Sequence, residues 1–144
     1  MDKKIALFAV LWTAFAAAQM SCNPFASSHV AANVPDAKNF AEFLKRDLEA
    51  HFKKSLGREV AVSYEMLRLD ATQSGVAYPK YYLWVRISGE GQLLGEGAAR
   101  VAAIEKTHFE VTDFLSRTEI KKNRQIIKNV FPPELCDKIE REKI

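Results

Sequence analysis

The sequence predicts an α+β domain in which one N-terminal helix packs on a four-stranded antiparallel meander and short helices close the chain. Three observations carry this. Between Asp36 and Gly57, Phe40, Leu44, Leu48, Phe52 and Leu56 recur every four residues, with Ala41 and Phe43 widening the stripe. That is the pattern of a helix with one core-facing side. Beyond Gly57 the apolar period changes to two over two segments, and turn chemistry at Gly89-Glu90-Gly91 and near Glu105–Thr107 sets off two further strands. After Phe114 a capping-box sequence, Ser116-Arg117-Thr118-Glu119, opens a region of helical period.

The elements follow in order. Asp36 after Pro35 is a suitable N-cap, and Gly57 stands where a helix C′ glycine belongs. Val60, Val62, Tyr64 and Met66 alternate with Ala61, Ser63, Glu65 and Leu67 as a half-buried strand does. A polar loop over Asp70–Gly75 leads through Tyr78-Pro79 to a second strand, with Tyr81, Leu83, Val85 and Ile87 on one face and Lys80, Tyr82, Trp84 and Arg86 on the other. Gly89-Glu90-Gly91 is hairpin chemistry. The third strand, around Leu93–Ile104, is rich in Gly and Ala, which implies a bulge or a close approach of backbone or helix. A turn near Glu105–Thr107 precedes a fourth strand over His108–Phe114. Asn123 divides the helical region, Pro132-Pro133 stops it, and Glu134–Lys143 reads as a last charged helix. This order of elements, a helix laid across a curled antiparallel sheet, resembles the cystatin-like and NTF2-like arrangements.

Ahead of the domain, Lys3 and Lys4 precede an apolar run from Ile5 to Ala18 that ends in Ala16-Ala17-Ala18. Charged start, apolar middle and small-residue exit are the parts of a secretory signal. The run is about 14 residues, short of the roughly 20 that cross a bilayer as a helix. We therefore read 1–21 as a signal peptide, 22–34 as a flexible tether and 35–144 as one domain, exported to the periplasm or held at the envelope membrane by lipid. Cys22, preceded by Ser21, resembles the acylated cysteine of bacterial lipoproteins, although Gln19 replaces the usual Leu. Two readings compete at Cys22: acylation, or a disulfide to Cys136, which an oxidising compartment permits. Cys136, beside Leu135 and three residues before Ile139, otherwise reads as a small buried hydrophobe.

The formal charge is +3, and loss of the leader removes two of the 21 basic and one of the 18 acidic side chains, leaving +2. No cluster of positive charge marks a nucleic-acid footprint. His29, His51 and His108 are scattered without the i, i+4 partner of a zinc helix, and no nucleophile elbow or dinucleotide fingerprint is present. No cofactor or metal is expected. Tyr82, Trp84 and Arg86 are of the types enriched in binding hot spots, so their face is either a binding surface or the seat of the C-terminal helices. The function expected is a non-enzymatic envelope or periplasmic module that binds a protein, peptide or envelope component. The alternative is a small hydrolase or isomerase with acids in a sheet cavity. Glu110 and Asp113, three apart on one strand, would lie on opposite faces and form no such pair.

Mass measurement on protein from its native envelope tests the address: the chain should begin at Gln19 or Cys22. If Cys22 is acylated, Cys22→Ser should release the domain from membranes without unfolding it, whereas a Cys22–Cys136 bridge makes Cys22→Ser and Cys136→Ser equally destabilising.

Overall fold

A computed structural model describes residues 30–144; the leader, Cys22, His29 and the tether up to that point lie outside the described residues. Helix α1 (Ala37–Leu56) precedes strands β1 (Ala61–Met66), β2 (Lys80–Gly89), β3 (Gln92–Ile104) and β4 (His108–Ser116). The chain closes with α2 (Arg117–Lys122), a 3-10 turn (Arg124–Asn129) and α3 (Pro133–Glu142). The strands make one antiparallel sheet in the order β1-β2-β3-β4, a meander within an α+β layout.

The end of the expected tether belongs to the folded body. Val30–Asn33 form a helical turn, and Asn33 is buried. Its carbonyl accepts the Lys106 N–H (2.9 Å) and its side-chain Oδ1 accepts that of Glu105 (3.2 Å). The reason lies in the β3–β4 turn, where Glu105 and Lys106 hold φ of 49° and 60°. Two consecutive left-handed residues are the type I′ turn that Asn-Gly normally supplies, and Asn33 offers this strained Glu-Lys turn two acceptors.

On α1 the stripe is buried as its spacing requires, with Leu44, Leu48 and Phe52 in the core. Phe40 meets Tyr81 and Phe109 edge to face with centroids 5.1 and 5.0 Å apart. Asp36 occupies the N-cap position, but its side chain makes no capping bond. Gly57 caps the other end in the left-handed conformation, its N–H on the Lys53 carbonyl. Leu56, the last residue of the stripe, is exposed, because the helix ends beside it. Two carboxylates then tie α1 to the sheet: Asp47 accepts the Phe109 N–H of β4 (2.7 Å), and Glu49 accepts the Val62 N–H of β1 (3.3 Å). Residues two apart on a helix lie on opposite flanks, so α1 is attached to both edge strands.

The opposite face of the sheet carries a second core. Tyr82, Trp84, Ala98 and Leu115 are covered by Ile120, Ile127, Phe131, Leu135, Cys136 and Ile139. The capping box forms as the sequence implies, with Ser116 and Glu119 bonded reciprocally, and Asn123 ends α2 and caps the 3-10 turn through Gln125. Arg100 anchors this layer, gripping Asp113 (2.6 Å) and donating to the Val130 carbonyl (3.3 Å). The small residues of β3 have two causes. Ala99 and Ala103 face one core and Ala98 the other, while a Cβ on Gly97 would run into the carbonyl oxygen of Leu115.

Leu48→Ala should cost about 2–5 kcal/mol, the range for emptying a buried leucine site. Gly97→Ala, which must push two backbones apart, should cost at least the 1–3 kcal/mol typical of overpacking. Lys53→Ala, at an exposed pair with Glu59, should stay within about 0.5 kcal/mol. Urea titrations of the three variants measure all of these.

Candidate functional site

The three residues nominated as a binding surface separate in the structure. Tyr82 is only 5% exposed; its ring lies 5.8 Å from that of Phe131 and its hydroxyl bonds Thr72 Oγ1 at 2.6 Å. Trp84 is 3% exposed. Both form the seat of the C-terminal layer rather than an open surface, because Ile127, Phe131 and their neighbours need an apolar partner. Arg86, at the margin of that layer, keeps 66% of its side chain exposed.

Around Arg86 a polar cluster is built from four elements. Glu96 on β3 stands opposite Arg86 in register. Its Oε2 accepts from Arg86 Nε (3.3 Å) and from the indole N–H of Trp84 (3.4 Å), and its Oε1 accepts from Arg117 (2.5 Å). Burial alone would raise the Glu96 carboxyl; the bonds from Arg117, Trp84 and Arg86 outweigh it and hold the group below the ordinary glutamate value. Across β1, Glu65 is paired with Lys143 (2.6 Å), and that hydrogen bond is the main reason its carboxyl is also lowered. Two arginines against one glutamate leave this cluster with one positive charge beyond the balanced Glu65–Lys143 pair.

Beside the cluster, at the β1 edge, is a hollow of about 170 Å³ lined by Ser63, Tyr64, Glu65, Trp84 and Arg86. It exists because Ser63, the β1 partner of Arg86, is small. The strand next to it is open. Leu67 N–H bonds the Tyr82 carbonyl, so in the alternating antiparallel ladder Ser63 and Glu65 also turn their backbone groups to β2. Val62, Tyr64 and Met66 therefore turn theirs outward, where Glu49 takes the Val62 N–H. Glu96 went unrecognised in the sequence. Its signal is an acid between two glycines in a strand of small residues, but the register shift between Ile87 and Ser88 hides that it faces Arg86.

The groups considered for catalysis do not converge. Glu110 and Asp113, expected on opposite faces, share one: the register shift at Arg100/Val101 inserts Thr112 as an extra residue and inverts the alternation. Asp113 is bonded to Arg100. Cys136 is a buried free thiol donating to the Phe131 carbonyl (3.4 Å). Burial, followed by Asp137 and Glu140, pushes its pKa up, the opposite of an activated thiol. His51 lies on α1 and His108 beside the β3–β4 turn, bonded to Thr107 (2.8 Å). Among the described residues no three His, Cys, Asp or Glu side chains gather as a metal site requires, and no helix is long and apolar enough to cross a membrane. No family model, curated protein or solved structure matches the chain.

The lowered Glu96 carboxyl contributes stability that is present above its unfolded value and lost as pH falls through the folded one. Glu96→Gln should therefore cost about 1–3 kcal/mol at pH 7, as a charge-assisted bond does. It should also flatten the fall in stability below about pH 4.3, the ordinary glutamate value. Urea midpoints of both proteins between pH 7 and pH 3 measure this.

Proposed function

We propose that this chain is a non-enzymatic module, exported and held in the periplasm or at the envelope membrane through Cys22, that binds a protein or peptide partner along the β1 edge. The observation that carries the reading is the open backbone of Tyr64 and Met66 beside the Arg86 hollow. An extended segment added there gains main-chain hydrogen bonds from the edge and side-chain recognition from the hollow, the general mode of strand addition.

The core supports a binding role over a catalytic one. In a cystatin-like arrangement the helix fills the curl of the sheet. In an NTF2-like enzyme the same curl would hold the acids. Here the space between α1 and the sheet holds Tyr81, Leu83, Val85, Val101 and Phe109 against the α1 stripe, and on the second face Glu96 and Asp113 are engaged with arginines. A cavity between α1 and the sheet lined by ionisable groups would favour the hydrolase reading; apolar side chains fill that space instead.

A photo-crosslinking side chain at Ser63, in cells, should give a discrete adduct of increased mass. The same probe at Thr112 on the opposite edge should give none. Equal adducts at both positions, or none at Ser63, would overturn the reading.

A further inference from the structure

We propose that the strand which adds to β1 is the β1 of a second copy of this chain, in a two-fold antiparallel pair that joins the two sheets. This rests on the reading of β1 as the binding edge and names its occupant.

The argument is one of register and charge. A two-fold antiparallel pair must match outward-facing residues with outward-facing residues. For β1 the central choices place Tyr64 opposite Val62, Tyr64 or Met66. Opposite Val62, the pair would have to take the Val62 N–H from Glu49. Opposite Met66, Glu65 stands directly opposite its own copy, and like charges directly opposite destabilise a strand pair. With Tyr64 opposite Tyr64, Glu65 of one copy stands opposite Ser63 of the other, on the same face. Ser63 is itself the cross-strand neighbour of Arg86, so the incoming carboxylate meets the hollow that the small Ser63 side chain leaves open. Arg86 is largely exposed there and belongs to a cluster with one positive charge in excess. Glu65 is half-exposed with Oε2 on Lys143, which leaves Oε1 to face the second copy's Arg86. By symmetry the contact forms twice.

The backbone agrees with this register. Two bonds form between the Tyr64 residues, and each Met66 N–H meets a Val62 carbonyl. The Val62 N–H can stay on Glu49. A rotation axis perpendicular to the sheet keeps both α1 helices on one side, and the half-buried Tyr64 rings meet between them. Six residues of edge make a small interface, below the roughly 1,200 Å² of stable complexes, so the pair is reversible and concentration-dependent.

Sedimentation equilibrium of the full chain should show mass rising with concentration from the monomer towards twice that value. Glu65→Lys should raise the dissociation constant about tenfold, since it sets a cation against Arg86 at both symmetric contacts. Thr112→Lys on the far edge should leave it unchanged. Mixing a Ser63→Cys chain with a size-tagged Glu65→Cys chain should give a mixed disulfide faster than either chain cross-links alone. Monomer mass at every concentration, an unmoved constant in Glu65→Lys, or fastest linking by Glu65→Cys alone would each overturn the proposal. If the mass is monomeric while the Ser63 probe captures a different protein, the edge still binds and only self-pairing falls. If the Ser63 probe also captures nothing, both readings fall.

Discussion

Asp47 and Glu49 lie on opposite flanks of α1, and each takes a backbone N–H from a different edge strand. This double attachment fixes where α1 lies across the sheet and which residues meet the helix stripe. Without it, apolar burial by Leu44, Leu48 and Phe52 is non-directional and would tolerate α1 sliding along the sheet. The Asp47 end is reinforced: Arg46 forks onto Asp47, reaches the Thr107 carbonyl at 2.9 Å and lies over the Phe43 ring. The β3–β4 turn, whose left-handed Glu105 and Lys106 are strained, is thus held from the helix by Arg46 and from the N-terminal turn by Asn33.

Much of this architecture was legible in the residues, for a physical reason. The α1 stripe, the alternation in β1 and β2 and the Ser116–Glu119 capping box are local patterns, and local patterns report burial directly. What depended on register was not legible. Glu110 and Asp113 look opposed by counting, and only the extra residue Thr112 brings them to one face. Glu96 looks like a solvated turn acid until the second register shift places it against Arg86. Val30–Asn33 ends a stretch of small, uncharged residues that reads as a tether, and its order comes from carbonyl and amide acceptors meeting a turn 72 residues away in sequence, which composition does not encode.

The site shows the same division. Tyr82, Trp84 and Arg86 share a face because strand period is two, and their side-chain types suit recognition. Which of them stays accessible depends on where the C-terminal layer ends. Phe131 covers Tyr82, and the layer covers Trp84 while stopping short of Arg86. The aromatic pair therefore contributes core energy, and the indole N–H contributes position: it helps hold the Glu96 carboxylate that orients Arg86. The exposed Arg86 at the margin is thus positioned by groups that are themselves largely buried.

The two sheet edges are finished unequally, and stability alone does not account for the difference. Folded proteins blunt open edges because an unpaired row of N–H and C=O groups invites pairing. On β4 the devices accumulate: Asp47 takes the Phe109 amide, Arg46 takes the Thr107 carbonyl, and the Thr112 bulge bends the strand with its hydroxyl returned to Arg100. On β1 the Glu49–Val62 bond is the one such device among the described contacts, and the two outward positions beyond it run straight beside the hollow. Both edges are within reach of α1 carboxylates and long side chains, so closing β1 would have needed no new fold. An edge left open next to a small residue, an exposed arginine and an unspent positive charge is better explained by a strand that comes to occupy it.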